Sequence, residues 1–210
     1  MKKIRNILFL FLVFLLTGCG AKTPEKLVRS SLEQIKKLDE KTIQNFVSYQ
    51  DLVQNKTRDT DVGEETSEAV RLFFQNFDYS ILSTETNEDT ATVTVEIKNL
   101  DAKTLAHDLC LALTKISADP RTEDATTMNS YFTVLRDILK TNTYEESTTT
   151  ASFGLLRQSG NWKIQTTEEL KDEIVSGLIT ALKDPYLLTP EEVADATLGV
   201  FTDFSPEDWV

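Results

Sequence analysis

The chain has 210 residues, 34 of them acidic and 22 basic, for a formal charge of −12. So acidic a composition argues against nucleic acid as a partner, because phosphate contacts require clustered Lys and Arg. With a single histidine, His107, and two cysteines, Cys19 and Cys110, most histidine-dependent catalytic or metal schemes hang on one residue.

In chain order, Lys2, Lys3 and Arg5 precede an unbroken apolar run from Ile7 to Leu16. The run falls short of the roughly 20 residues of a membrane-spanning helix and has the length and flanks of a secretory signal. It ends in Leu16-Thr17-Gly18-Cys19, a leucine, two small residues and a cysteine. That pattern resembles the lipobox of bacterial lipoproteins. The resemblance implies a diacylglyceryl group on the Cys19 sulfur, cleavage between Gly18 and Cys19, and a mature chain held on the outer side of the cytoplasmic membrane. The bilayer is then the first partner. Two acyl chains anchor stably where one is marginal, each buried methylene contributing about 0.8 kcal/mol.

Residues 1–18 hold three basic and no acidic groups, so the remainder carries −15. Lipidation leaves Cys110 as the one free thiol and excludes an intramolecular disulfide. Residues 19–23 form a short tether. Gly20 to Thr23 reach about 14 Å when extended at about 3.5 Å per residue, which holds the domain close to the membrane.

Thr23-Pro24 reads as a helix cap followed by proline at the first position, and Leu27, Val28, Leu32, Ile35 and Leu38 recur at helical spacing. A short helix through Ile43, Phe46 and Val47, reaching Leu52-Val53, precedes a polar loop from Gln54 to Gly63. The next helix starts at Glu64, with Val70, Phe73, Phe74 and Phe77 on its apolar side. Between Lys22 and Lys41 six basic residues face four acidic ones, against −17 elsewhere in the mature chain. This segment is expected either to face anionic head groups or to be an ordinary solvated helix face.

The period then changes. "DYSILSTE" and "TATVTVEIK" flank Asn87-Glu88-Asp89, and Ala91, Val93, Val95 and Ile97 alternate with polar residues, which predicts an antiparallel hairpin with one buried face. A helix follows from Ala102 to Ser117 on Leu105, Leu109, Ala112, Leu113 and Ile116, until Pro120 interrupts. Another runs to Lys140 on Met128, Tyr131, Phe132, Leu135, Ile138 and Leu139. "STTTASFGLLR" and "NWKIQTT" predict a second hairpin around Gln158 to Asn161. "TEELKDEIVSGLITALK" reads as one amphipathic helix stopped by Asp184-Pro185, and Thr189-Pro190-Glu191-Glu192 opens a last short helix with a capping pattern.

This order predicts an α+β domain over residues 24–167, with helices on one side of a curved antiparallel sheet of about four strands. Residues 168–210 add a C-terminal helical extension packed on that domain. From Pro24 to Gln165, helices followed by long strands ending in Gly160-Asn161-Trp162-Lys163-Ile164 look like the nuclear transport factor 2-like or cystatin-like cone fold, which small Gram-positive lipoproteins often use. The helical stretch from Ala102 to Lys140 departs from the compact version of that fold, and residues 168–210 lie outside it.

For chemistry, helical spacing puts His107 opposite the apolar stripe of its helix, as an exposed, solvated imidazole. Cys110 lies one turn on, so a Cys110-His107 dyad is geometrically possible; the alternative is a small core hydrophobe, the usual state of a free cysteine. Asp59-Thr60-Asp61-Val62-Gly63-Glu64-Glu65 has alternating carboxylates but lacks the full EF-hand ligand series. It is expected to be a solvated loop, with Glu64 and Glu65 in a helix first turn. No metal or cofactor is expected. The cone-fold resemblance implies either a binding module or an enzyme with a buried carboxylate. Phe73, Phe77, Tyr79, Tyr131, Phe153 and Trp162 are the residues that would line its cavity, if they are not plain core. The expected function is a non-catalytic module binding a membrane-proximal protein or a small apolar ligand. A cone-fold enzyme and a self-associating surface protein are the alternatives.

Overall fold

A computed structural model describes residues 23–52, 63–122 and 128–209; the lipobox with Cys19, and Asp59 to Val62 of the acidic cluster, lie outside them. The first helix, α1 (Pro24–Lys36), starts where the Thr23 hydroxyl accepts the Lys26 N–H. Its stripe of Val28, Leu32 and Ile35 is fully buried. Leu38, at φ 59°, turns the chain into α2 (Glu40–Phe46), which Asp39 caps by accepting the Thr42 N–H. The short α3 (Tyr49–Leu52) and then α4 (Glu64–Phe74) follow.

Four strands form one antiparallel sheet in the order β1-β2-β3-β4. β1 (Asp78–Asn87) and β2 (Thr90–Leu100) make the first hairpin, with a turn of only Glu88 and Asp89 because Asn87 already pairs with Thr90. The alternation expected of β2 is met: Ala91, Val93, Val95 and Ile97 are buried, while Thr92, Glu96 and Lys98 face outward. A bulge between Ile81 and Ser83 breaks the edge strand β1, a device that discourages pairing with another chain. β3 (Glu146–Gln158) and β4 (Asn161–Ile164) make the second hairpin. Its two turn residues, Ser159 and Gly160, both have positive φ, 49° and 79°, as the hairpin turn that matches strand twist requires.

Between β2 and β3 the chain makes a helical excursion, α5 (Ala102–Ala118) and α6 (Met128–Thr141). α6 packs on α4. β4 pairs with only the last four residues of β3, and α7 (Glu168–Ile174) takes over along the rest of that edge. There the Glu173 carboxylate accepts the Ser152 N–H at 3.0 Å. A strand donor that would otherwise be an exposed pairing template is thus satisfied by a helix side chain.

The single amphipathic helix expected over 167–183 is two helices, α7 and α8 (Leu178–Lys183). Ser176 and Gly177 break it, both in the left-handed region at φ 57° and 84°. The break leaves Leu170, Ile174, Val175, Leu178 and Ile179 all in the same hydrophobic core as the sheet, so residues 168–183 are integral to the domain. α9 (Pro190–Gly199) opens with the expected capping box between Thr189 and Glu192, and two 3-10 turns, Val200–Asp203 and Pro206–Trp209, end the chain.

Nothing lies within 4 Å of where a Cβ would sit on Gly177, so the cost of Gly177→Ala is conformational alone, about 1 kcal/mol. Urea unfolding should show that loss. Gly154→Ala, equally open and without a positive φ, should be neutral or slightly stabilising in the same assay.

Candidate functional site

α5 begins under an Asp101 cap, whose carboxylate accepts the Lys103 and Thr104 N–H groups, and buries Ala102, Leu105, Ala106 and Leu109 in the core. Its other flank, Cys110, Leu113, Thr114 and Ser117, forms one wall of a groove of about 650 Å³. The opposite wall is the C-terminal arm: Pro185, Leu187 and Leu188 of the connecting loop, with Val193 and Thr197 of α9. That volume lies in the range of small-molecule sites, about 300–1,000 Å³. Of the six exposed large apolar side chains among the described residues, four belong to the arm: Tyr186 (87% exposed), Leu198 (65%), Val193 and Phe201. Apolar side chains concentrated on one exposed segment mark interaction surfaces more often than scattered ones do.

A polar bridge holds the arm against α5. His107 Nε2 lies 2.9 Å from Glu192 Oε1. An ionised carboxylate only accepts, so Nε2 carries the proton of this bond. On the other side Nδ1 is 3.6 Å from Asp108 Oδ1, and Asp108 Oδ2 accepts from the Tyr144 hydroxyl and the Asn142 amide, both at 2.9 Å. Glu192 also accepts the backbone N–H and hydroxyl of Thr189. The Thr189 backbone contact first, then its hydroxyl and His107, hold the Glu192 carboxyl down at about 2. At the arm's far end Arg121 grips Asp119 through two hydrogen bonds and lies 4.2 Å over the Phe204 ring.

His107 is therefore not the freely solvated imidazole expected of it. The helical wheel puts it off the apolar stripe, but α9 folds back across that face and leaves the side chain 31% exposed. A Cys110-His107 dyad is not assembled, since the imidazole is directed to Glu192. Burial pushes the Cys110 thiol up, the reverse of what a nucleophile needs.

The six aromatic residues named from the sequence do not line this groove. Phe73, Phe77, Phe153 and Trp162 are buried in the core, with Phe153 edge-on to Phe46 and Phe73 edge-on to Phe74. Tyr131 is buried too and donates its hydroxyl to the Leu52 carbonyl at 2.9 Å. Tyr79 lies at the sheet edge, donating to Glu33 Oε1 at 2.8 Å; burial and the Glu33 carboxylate push its hydroxyl up to about 12. These side chains are packing residues whose helical and strand spacing could not show what they pack against.

Glu64 and Glu65 sit in the first turn of α4 as expected. Among the described residues no group of three or more His, Cys, Asp or Glu is placed to hold a metal ion. The described carboxylates that depart from ordinary values, among them Asp51, Asp101, Asp119 and Glu192, are all shifted down, which suits anions and acceptors rather than proton donors at neutral pH. What the groove offers chemically is apolar contact beside the Asp184 carboxylate, the Cys110 thiol and the hydroxyl of Ser117; the Thr114 and Thr197 hydroxyls donate to their own helix backbone. Sequence reasoning missed the arm as a wall; the signal was "YLL", Tyr186 to Leu188, three apolar residues that no helix pattern claimed. Comparison with protein-family models, with curated proteins and with solved structures finds no match for this chain.

Because the Glu192 value is depressed in the folded chain, first by its Thr189 cap and then by His107, its contribution to the α9 cap and to the bridge to α5 is complete above the unfolded carboxyl value of about 4.3. It is lost as pH falls from there toward about 2. Hydrogen-exchange protection of residues 190–199 should fall through that window. Glu192→Gln, which keeps a capping side chain but not the charge, should lower protection at pH 7 and flatten the pH dependence.

Proposed function

We propose that this protein is a membrane-anchored extracytoplasmic binding module. Cys19 carries the lipid, the five residues 19–23 keep the domain near the bilayer, and the groove between α5 and the C-terminal arm receives a membrane-proximal protein segment or a small apolar ligand. The observation that carries this reading is the groove itself, walled by Leu113, Leu187, Leu188 and Val193, on an arm that also exposes Tyr186 and Leu198. Leaving side chains this large in water forgoes about 25 cal/mol for each Å² that a partner would cover.

The test is a photoreactive residue at position 193, on the groove wall, in intact cells, with Cys19 present or replaced by Ala. With Cys19, the protein is expected in the membrane fraction with one discrete crosslinked adduct. Cys19→Ala should move it to the soluble fraction and weaken the adduct. Membrane association unchanged by Cys19→Ala would refute the anchor, and crosslinks no different from those at an outward sheet position such as Thr92 would refute the groove.

A further inference from the structure

The two walls of the groove differ in charge. Residues 184–210, the arm, hold seven of the chain's 34 acidic residues and none of its 22 basic ones. These 27 residues thus supply −7 of the formal −12. The facing wall leaves that charge standing: along α5 and its ends, Asp101, Asp108 and Asp119 are matched by Lys103, Lys115 and Arg121. In the groove itself Asp184, from the arm, is the one charged lining residue.

α9 sets this charge beside apolar surface. Val193 and Thr197 line the groove, while Glu191, Asp195 and Leu198, spaced i, i+4 and i+7, share another side of the same helix and are all exposed. Glu192 and Asp208 are bridged to His107 and Arg121, but neither Glu191 nor Asp195 has an ion pair within 4 Å among the described residues. A helix with its side chains is about 10–12 Å across, and physiological salt screens a charge over roughly 8 Å. A Lys or Arg on the flank of a segment seated in the groove, its stem lying along apolar surface, is therefore within reach of these carboxylates.

With the groove as the binding site proposed above, on which this inference rests, charge selects among its occupants. A second copy seated through this face would bring two acidic arms together, and like charges opposed across an interface are unfavourable. An anionic bilayer repels the arm for the same reason, and a neutral apolar ligand gains nothing from its charge. We infer that the groove takes a cationic amphipathic segment of another protein, with apolar side chains seated between α5 and α9 and Lys or Arg meeting the carboxylates of the arm. An amphipathic helix laid into an apolar groove is a recurring mode of peptide recognition.

The test is fluorescence anisotropy on the full-length lipidated protein in phosphatidylcholine nanodiscs, with empty nanodiscs as the background. Three labelled peptides share one amphipathic leucine pattern and carry Lys, Gln or Glu at the polar positions. The Lys peptide is expected to bind saturably and about tenfold tighter than the Gln peptide, since charged contacts are stronger than neutral ones, with the Glu peptide weakest. Glu191→Gln/Asp195→Asn should remove most of that preference and leave the Gln peptide unchanged, whereas Val193→Ser, on the groove wall, should weaken both. Equal binding of the Lys and Gln peptides, still sensitive to Val193→Ser, would overturn the cationic partner and spare the groove. Binding of none of the three, or binding indifferent to Val193→Ser, would overturn both. Self-association in sedimentation that Val193→Ser abolishes would assign the face to a second copy instead.

Discussion

Eleven consecutive residue pairs between β2 and β3, from Thr90 opposite Leu156 to Leu100 opposite Glu146, set the geometry on which everything else rests. They align Val93 with Phe153 and Val95 with Ala151 on one face, the floor of the core over which α1, α2 and α7 pack. A slip of one residue would turn that row to solvent. The same pairing brings the two ends of the α5–α6 excursion together: the Asp101 N–H donates to the Glu145 carbonyl at 2.8 Å, so α5 leaves the sheet at the place where the return from α6 enters it.

That arrangement leaves α5 with two occupied sides of different kinds. Its apolar stripe is committed to the core, while its opposite flank is met by the arm, held by a hydrogen-bonded bridge and a few apolar side chains rather than by deep burial; in α9 only Ala196 is buried. A segment docked by the His107–Glu192 bridge, the contacts of Arg121 with Phe204 and Asp208 and partial burial opens at lower free energy than the core does. The wall that shapes the groove is thus among the more easily moved parts of the fold, whereas the residues flanking the α7–α8 break are anchored in the core.

Much of the fold was legible because the sheet is one-sided. Strict alternation through Ala91 to Ile97 has a single structural solution, and the caps at Thr23 and Thr189 are local chemistry that neighbouring residues fully specify. The break at Ser176-Gly177 was hidden because Leu170, Ile174 and Leu178 keep four-residue spacing straight across it, so periodicity reports a continuous helix where the backbone reverses sign. His107 was misplaced for another reason: its partner Glu192 lies 85 residues away, and a helical wheel can say which face is apolar but not what later chain covers the polar one. Asn99 is a third case. It continues the inward alternation of β2 and is wholly buried with its amide unpartnered, a position that pattern alone would assign to an apolar residue.

The groove between α5 and the arm carries the functional reading, and a neutral apolar probe tests it directly. Backbone amide shifts followed while the protein is titrated with decanol should move in a saturable way at Leu113, Thr114, Leu187, Leu188 and Val193. Shifts confined to the sheet, or no saturable shift at these five residues, would contradict a binding role for the groove.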